Sequence, residues 1–176
     1  VAVGLEIEIG FAHIAEALSE FHGVARRFEL RGEAGGVQVY DDYGHHPTEI
    51  EATLAAARTR GSRVLCVFQP HRYSRTAALA REFGAAFTDA AHAWVLDVYA
   101  AGEAPLPGVT SARIIEEARA QGATHVEYAP DPVLAVEAVA REAQPGDLVF
   151  TLGAGDVWKL GDRVLEQLRA RSTVGG

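Results

Sequence analysis

The feature that most constrains the fold is an alternation of apolar strand-like runs with helical patterns, which begins at Gly36. The strand-like runs are rich in β-branched and aromatic residues, and the stretches between them carry apolar residues at helical spacing. The predicted strands cover residues 37–41, 63–69, 92–98, 124–128 and 147–152, and the predicted helices cover 47–60, 74–86, 111–121, 131–143 and 156–170. This repetition predicts an α/β fold with a mostly parallel sheet and helices on both faces.

Residues 1–35 do not follow this rhythm. Apolar residues recur there at helical spacing, at Phe11, Ile14 and Leu18. A strand is predicted over 26–30, and a segment this short cannot bury a core of its own. We therefore predict that residues 1–35 are the tail of another domain ending in a linker at 32–36. The Rossmann-like domain then covers residues 36–171, and residues 172–176 are predicted to fray.

Charge and hydropathy exclude several classes of partner. The net charge is −8, whereas a nucleic-acid-binding domain normally carries a basic face. The longest apolar stretches, such as 64–68, are much shorter than the ~18 residues of a membrane span. No secretion signal opens the chain, and its single cysteine, Cys66, lies in a strand-like run, which is typical of a reducing compartment. We expect a cytoplasmic protein with no nucleic-acid or membrane partner.

The first polar motif follows the first predicted strand and reads Asp-Asp-Tyr-Gly-His-His-Pro-Thr-Glu at residues 41–49. Open α/β sheets bind ligands outside the carboxyl ends of their strands. Asp41 and Asp42 end a strand, so their side chains point to opposite faces and only one easily reaches a ligand. The alternatives are a turn or cap for these carboxylates, and a surface pair or cap for His45 and His46. We favour a ligand role for at least one carboxylate and a polar role for at least one histidine.

The second polar motif follows the next strand and reads Phe-Gln-Pro-His-Arg-Tyr-Ser-Arg-Thr at residues 68–76. Arg72 and Arg75 are three residues apart at a predicted helix start, which makes them neighbours on one face. Positive side chains oppose the positive end of a helix dipole, an unfavourable placement unless an anion joins them. The motif therefore predicts a site for a carboxylate, held by hydrogen bonds worth about 1.5–3 kcal/mol each.

Three other segments carry weaker signals. Residues 97–103 leave the third strand and enter a long loop, which either lies over a ligand or only connects two elements. The Gly-Ala-Gly-Asp turn at 153–156 could hold a phosphate, but a tight turn is favoured because the rest of a dinucleotide fingerprint is absent. Alternation sends Arg26 and Arg27 to opposite faces of their predicted strand, and a solvated charge at the sheet edge is the safer interpretation for both.

In order and spacing these motifs resemble the C-terminal domain of the Mur ligase family. The matching segments are 41–49, 68–76, 97–103 and 153–156. The resemblance spans nearly the whole chain, and Arg-Arg-Phe-Glu at 26–29 resembles the strand that closes the family's central ATPase domain. It implies an ATP-dependent amide ligation in peptidoglycan synthesis, in which L-alanine is joined to UDP-N-acetylmuramate through an acyl phosphate.

The resemblance also implies roles for individual residues. Arg27 would contact the γ-phosphate of ATP, and Asp42 would contact the ATP ribose. The residues implied to line the amino-acid side of the cleft are Tyr43, His45, His71, Arg72 and Arg75. No catalytic residue and no metal ligand is implied within this chain.

Other expected parts of the family are missing from the sequence. It contains no Gly-x-x-x-x-Gly-Lys-Ser/Thr loop, and nothing supplies the Mg²⁺ ligands or the muramate-binding N-terminal domain. We therefore expect ATP and Mg²⁺ to act in a full-length enzyme, with neither bound tightly by this chain. The partners would be the missing N-terminal and central domains, and the chain alone would be inactive.

Two other classes of function remain open at this point. One is a metal-dependent hydrolase whose ligands are Asp41, Asp42, His45, His46 and His71. Mixtures of carboxylate and imidazole do bind catalytic metals, although this order and spacing match no metal motif that we can name. The other is a flavodoxin-like binding domain without chemistry of its own.

Overall fold

The computed structural model describes residues 1–20, 23–60 and 63–174, which form a sheet covered by helices on both faces. The strands are β1 Glu29–Ala34, β2 Val37–Asp42, β3 Val64–Phe68, β4 His92–Val95, β5 Val126–Tyr128 and β6 Leu148–Leu152. Their order is β1-β2-β6-β3-β4-β5. β1 pairs with β2 in antiparallel fashion, and the other pairs are parallel. The predicted α/β class with a mostly parallel sheet is confirmed.

The helices are α1 Ala2–Glu6, α2 Phe11–Ser19, α3 Pro47–Arg58, α4 Tyr73–Ala78, α5 Ala80–Ala85, α6 Ala112–Ala120, α7 Pro132–Glu142 and α8 Trp158–Val174. Helices α3 and α7 begin where the sequence supplies start signals. Pro47 and Pro132 occupy first turns, where a missing N–H costs nothing. Asp131 caps α7 by accepting a hydrogen bond from the backbone N–H of Val133 at 2.8 Å.

Two apolar cores lie on opposite faces of the sheet. On one face α3, α5 and α6 pack against side chains that include Cys66, Phe68 and Phe150. On the other face α7 and α8 pack against the alternate side chains, such as Leu65 and Val67. The central strands β3 and β6 are buried along their whole lengths. This double burial explains why these strands read as continuous apolar runs rather than as an alternation.

The start of the sheet differs from the prediction. The predicted strand at 26–30 and linker at 32–36 are wrong, because β1 begins at Glu29 and the linker residues form its end and a hairpin turn into β2. Gly35 and Gly36 have φ angles of 58° and 74°. Two consecutive residues with positive φ are what a two-residue hairpin turn requires, and glycine adopts them without strain.

The first two helices carry apolar side chains that face solvent. Neither α1 nor α2 contains a buried residue. The exposed side chains include Val3, Leu5, Phe11 and Leu18. This exposure supports the prediction that the segment packs against a domain outside this chain, which stays a prediction.

Two helices differ in extent from the sequence patterns. The predicted helix 74–86 is two helices, α4 and α5, separated by Leu79 with φ −120° and ψ 20°. Helix α8 continues to Val174, so the first residues of the predicted frayed tail are helical. Residues 175–176 lie outside the described residues, and so does Gly61, which the sequence predicts as the stop of the helix over 47–60. Within the described ranges, no helix is long and apolar enough to cross a membrane.

Candidate functional site

The loops after β2, β3, β4 and β6 meet at the carboxyl edge of the sheet. Strands β3 and β6 are neighbours there, yet β3 leads to helices on one face and β6 leads to α8 on the other. Such a switch point opens a crevice between the two diverging connections, and open α/β sheets bind their ligands there. The two polar motifs of the sequence flank this crevice.

Four rings form a continuous line across the carboxyl edge, which we call the aromatic row: Tyr43, His45, His71 and Tyr99. Successive ring centroids are 5.2, 5.9 and 5.5 Å apart. His71 and Tyr99 stack with an interplanar angle of 17° and belong to a parallel bridge between their loops. The structure thus brings together three of the residues predicted for the amino-acid site. Sequence reasoning did not single out Tyr99, although it lies within the motif at 97–103.

Arg72 and Arg75 lie beside this row, but not as the sequence pattern suggests. Arg72 precedes α4 as its N-cap, with φ 77° and ψ 134°, instead of lying on the helix. Positive φ is unfavourable for a side chain of this size, and such strain concentrates at functional sites. Arg75 lies in the helix, and its guanidinium donates to the carbonyl of His71 at 3.4 Å. Arg72 is exposed and Arg75 is half-buried.

Two carboxylates of the loop after β4 bind side chains or backbone of neighbouring elements. Near its start, the hydroxyl of Tyr128 donates to Asp97, and this bond raises the pKa of Tyr128 to about 12. Further on, Glu103 accepts hydrogen bonds from the backbone N–H of Ser74 at 3.0 Å and from its hydroxyl at 2.6 Å. These two bonds, with the charge of Arg72, lower the pKa of Glu103. The anion predicted at the start of α4 is therefore supplied in part by the chain itself.

The ring of His71 is held in its neutral form. Burial lowers its pKa most, and the positive charges of Arg75, His45 and Arg72 lower it further, while Glu103 opposes them. Its Nδ1 is buried and has no hydrogen-bond partner among the described residues. A neutral imidazole has one unprotonated ring nitrogen, which can accept a hydrogen bond or a proton.

Arg27 lies at the other end of the row, beside Tyr43. Its guanidinium carbon is 5.5 Å from the Tyr43 ring centroid, and its Nη1 is 3.6 Å from Glu49. The side chain of Arg27 is 48% exposed, so it remains open to a ligand. Glu49 also accepts from the backbone N–H groups of His45 and His46 at 2.9 and 3.1 Å. Burial would raise the pKa of Glu49, but these bonds and the charges of His45 and Arg27 lower it overall.

The carboxylates of Asp41 and Asp42 are both occupied by protein donors. Asp42, 4% exposed, accepts from the backbone N–H groups of Phe28 and Gly44 at 2.8 and 2.7 Å. Asp41 is fully buried and accepts from Thr151 at 2.7 Å and from Arg26 at 2.8 Å. The two side chains diverge as predicted. The structure gives each of them a role in holding the loops of the edge.

Arg26 is a structural residue rather than the solvated edge charge that the sequence suggests. Besides Asp41, its guanidinium donates to the carbonyls of Gly153 and Gly155 at 2.6 and 3.2 Å. The segment 153–156, for which the sequence favours a tight turn, also brings the backbone of Gly155 very close to Gln69 and Tyr99. A Cβ on Gly155 would lie 2.6 Å from Oε1 of Gln69 and 2.8 Å from Cγ of Tyr99. The glycine therefore lets the ring of Tyr99 sit against the turn.

The metal-dependent alternative is not favoured. Across residues 1–20, 23–60 and 63–174, no group of three or more His, Cys, Asp or Glu side chains could hold a metal ion. The oxygens of Asp41 and Asp42 already accept from protein donors. His46, the remaining histidine of the motif, is exposed at the start of α3.

Doubly wound sheets bind their ligands at the switch point, and in this chain arginines and imidazoles lie there. Comparison with known proteins identifies the class. The family described as Mur ligase, glutamate ligase domain, matches residues 26–155. The chain belongs to the Mur ligase family, as the sequence motifs predict.

The relatives narrow the comparison further. The chain is 50% identical over 170 residues to the UDP-N-acetylmuramate–L-alanine ligase of Solibacter usitatus, covering 96% of this chain and 36% of that protein. It is 49% identical to the ligase of the same name from Syntrophotalea carbinolica, covering 97% and 38%. The chain thus spans little more than a third of the curated relatives it matches.

A solved structure of a relative confirms the fold. The UDP-N-acetylmuramate–alanine ligase of Thermotoga maritima superimposes with a TM-score of 0.78 at 24% identity, covering 98% of this chain and 36% of that chain. The murein peptide ligase of Psychrobacter arcticus gives a TM-score of 0.72 at 22% identity, covering 96% and 35%. At these identities the likeness concerns the fold.

Proposed function

We propose that the chain is the C-terminal, substrate-contacting domain of a ligase that joins L-alanine to UDP-N-acetylmuramate in peptidoglycan synthesis. In this reaction ATP phosphorylates the muramate carboxylate, the amine of alanine attacks the acyl phosphate, and ADP and phosphate leave. Family membership and the names of the relatives support this assignment. The missing domains would supply the phosphate-binding loop, the Mg²⁺ ligands and the muramate site.

The observation that carries the proposal is the aromatic row with its two arginines at the switch point. An amino acid offers a carboxylate, which suits the guanidinium groups of Arg72 and Arg75. Its amino group must lose a proton before it attacks an acyl carbon. The neutral ring of His71 has one unprotonated nitrogen and would provide an acceptor beside those arginines. Tyr43 and His45 complete the proposed amino-acid side.

The proposed nucleotide side begins at Arg27. This arginine is exposed, its ion-pair partner among the described residues is Glu49 at 3.6 Å, and its guanidinium lies over the ring of Tyr43. It is suited to the γ-phosphate of ATP, whose transfer depends mainly on positioning and electrostatic stabilisation. Asp42 is the proposed ribose contact. A carboxylate has about four acceptor sites, and the backbone N–H groups of Phe28 and Gly44 use two of them.

The proposed partner surface is formed by the first two helices. Their exposed apolar side chains would be covered by the central ATPase domain, and UDP-N-acetylmuramate would be held by the N-terminal domain. In such an arrangement the described residues would form one wall of each ligand site, at an interface between domains.

The test is an assay of the complete ligase that contains this chain. ADP release and the mass of the product are measured with UDP-N-acetylmuramate, L-alanine or ATP omitted in turn. We expect ADP release to require all three and the product to gain one alanine. Release that depends on glutamate or diaminopimelate instead of L-alanine would overturn the amino-acid assignment while leaving the ligase class intact.

A further inference from the structure

The loop between β4 and α6 binds the backbone of Arg72, the residue that precedes α4. Arg72 has a positive φ of 77°, a conformation that persists only where the surroundings impose it. Its N–H donates to the carbonyl of Tyr99 at 2.8 Å. Its own carbonyl accepts from the backbone N–H of Thr76 at 3.1 Å and from the Thr76 hydroxyl at 2.9 Å. One side of the strained residue is therefore held by the loop and the other by α4.

Glu103 joins these two supports. It lies four residues after Tyr99 on the loop, and both of its carboxylate oxygens bind Ser74 in the first turn of α4. The carboxylate therefore fixes the distance between the loop and the helix on either side of Arg72. No other described side chain binds Ser74, so the clamp depends on this one residue.

The chemistry of this carboxylate indicates an indirect role. A free carboxylate beside Arg72 would compete with an anionic ligand for the guanidinium. Here the oxygens are engaged by the N–H and the hydroxyl of Ser74, which lowers the pKa of Glu103 and keeps it ionised. Its charge is thus directed at the start of α4, where an anion is favourable, and the guanidinium of Arg72 stays exposed.

We propose that Glu103 is a positioning residue: by clamping Ser74 it holds Arg72 in its strained conformation and so shapes the amino-acid site. This rests on the proposed function, because it assigns Glu103 to the same site. Glu103 does not touch the substrate. Its removal would let the loop and α4 move apart and let Arg72 relax to negative φ, which would redirect its side chain.

The first test uses the 176-residue chain and is independent of any enzymatic activity. Hydrogen exchange is measured at the amides of Arg72 and Thr76 in the wild type, Glu103→Ala and Glu103→Gln. In Glu103→Ala we expect exchange at both amides to be at least about tenfold faster, because local opening no longer has to break the hydrogen bonds between Ser74 and Glu103. Glu116→Ala, which truncates an exposed glutamate on α6, is the matched control and should leave both amides unchanged.

The second test uses the complete ligase, with L-alanine and ATP varied separately. Glu103→Ala should raise the KM for L-alanine about tenfold, while kcat and the KM for ATP stay within about twofold. Glu103→Gln should recover most of the loss. Its amide oxygen can still accept from the Ser74 N–H, and its NH₂ can donate to the hydroxyl. Ser74→Ala, which weakens the clamp from the helix side, should shift the alanine KM in the same direction.

The outcomes separate this proposal from the assignment of the reaction. Unchanged exchange at Arg72, or a loss in Glu103→Ala that affects alanine and ATP equally, would overturn the positioning role. A Glu103→Gln variant as impaired as Glu103→Ala would also overturn it, since the negative charge itself would then be required. If instead the wild-type ligase does not use L-alanine while the exchange result holds, the proposed reaction fails and the clamp stands.

Discussion

At the scale of single residues, the carboxyl edge divides its charged groups into two sets. Asp41 and Arg26 are used inside the protein, whereas Arg72 and Arg27 remain exposed. Arg26 and Arg27 are neighbours in the sequence, yet they fall into different sets. A motif therefore does not assign the same role to all of its polar residues.

Asp41 should prove to be a stability residue. Asp41→Asn removes the charge that a fully buried carboxylate offers to Arg26, so we expect a loss of about 2–3 kcal/mol in the free energy of unfolding. Asp89→Asn is the matched control, since Asp89 pairs with Arg58 on the surface at 3.3 Å. That change should cost less than about 1 kcal/mol. Urea denaturation measures both, and equal losses would contradict the structural role of Asp41.

His71 should titrate below its ordinary pKa of 6.5. NMR of the imidazole resonances between pH 5 and 8 gives the midpoint directly. Because the unfolded chain binds the proton more readily than the folded chain, stability should fall as the pH is lowered through 6.5 toward the folded midpoint. His71→Gln should remove this part of the acid destabilisation. A midpoint at or above 6.5 would mean that the ring is not held neutral by its burial and by the nearby arginines.

At the scale of elements, the sequence predicted the strands well because double burial gives the central strands an unmistakable apolar signal. It did not predict the β1–β2 hairpin, since two glycines are equally compatible with a linker and only pairing with β2 decides between them. It also did not predict the break at Leu79, where the apolar periodicity continues across two short helices. Helical periodicity reports which side is buried and does not report whether the backbone is continuous.

The candidate site was predictable only as a set of residue types. The sequence located the two polar motifs at strand ends. In the structure His45 and His71, one from each motif, lie close together. The contact of Glu103 with Ser74 joins residues 29 positions apart, one in a loop and the other in a helix, and no local pattern reports it. The same holds for Tyr99, whose place in the row depends on the absence of a side chain at Gly155.

Two glycines provide a test of how elements pack. A Cβ on Gly84 would lie 2.7 Å from the backbone nitrogen of Ala118 in α6, and a Cβ on Gly155 would meet the ring of Tyr99. We expect Gly84→Ala to cost about 1–3 kcal/mol of stability by forcing α5 and α6 apart. Gly155→Ala should instead displace Tyr99 from His71. Chemical denaturation and the NMR shifts of the His71 ring measure these two effects.

The glycine experiment has a clear contrary result. Gly84→Ala should leave the His71 shifts unchanged, because it acts between helices on one face of the sheet. If Gly155→Ala left the His71 shifts unchanged as well, Tyr99 would not depend on the close approach of the turn. The aromatic row would then lose its structural explanation.

At the scale of the whole molecule, two apolar cores on opposite faces of one sheet are sufficient for independent folding. The chain nevertheless covers only 36–38% of the first relatives. We therefore expect the purified chain to unfold cooperatively and yet release no phosphate from ATP. Its affinity for ATP should be weaker than micromolar, since the proposed contacts are limited to a phosphate arginine and a ribose carboxylate. Calorimetry measures the unfolding transition and the affinity for ATP, and a phosphate-release assay measures turnover. Turnover by the isolated chain would contradict the expectation that the other domains of the ligase are required.

The central claim is that the carboxyl edge binds the carboxylate of the amino-acid substrate. It is tested most directly by steady-state kinetics of the complete ligase carrying Arg72→Ala or Arg75→Ala, with L-alanine and ATP varied separately. Arg119→Ala, in the last turn of α6, serves as the control. A thermal melt of each variant checks the fold, particularly for Arg75, whose guanidinium also binds the carbonyl of His71.

Losing one partner of a buried, hydrogen-bonded charge pair, such as the bound substrate would form in the closed enzyme, typically costs about 2–5 kcal/mol, so kcat/KM for L-alanine should fall roughly 30-fold or more in either site variant. ATP kinetics should barely change, and Arg119→Ala should behave as the wild type. Unchanged alanine kinetics in both site variants, or a defect confined to ATP, would contradict the account and remove the arginines from the amino-acid site.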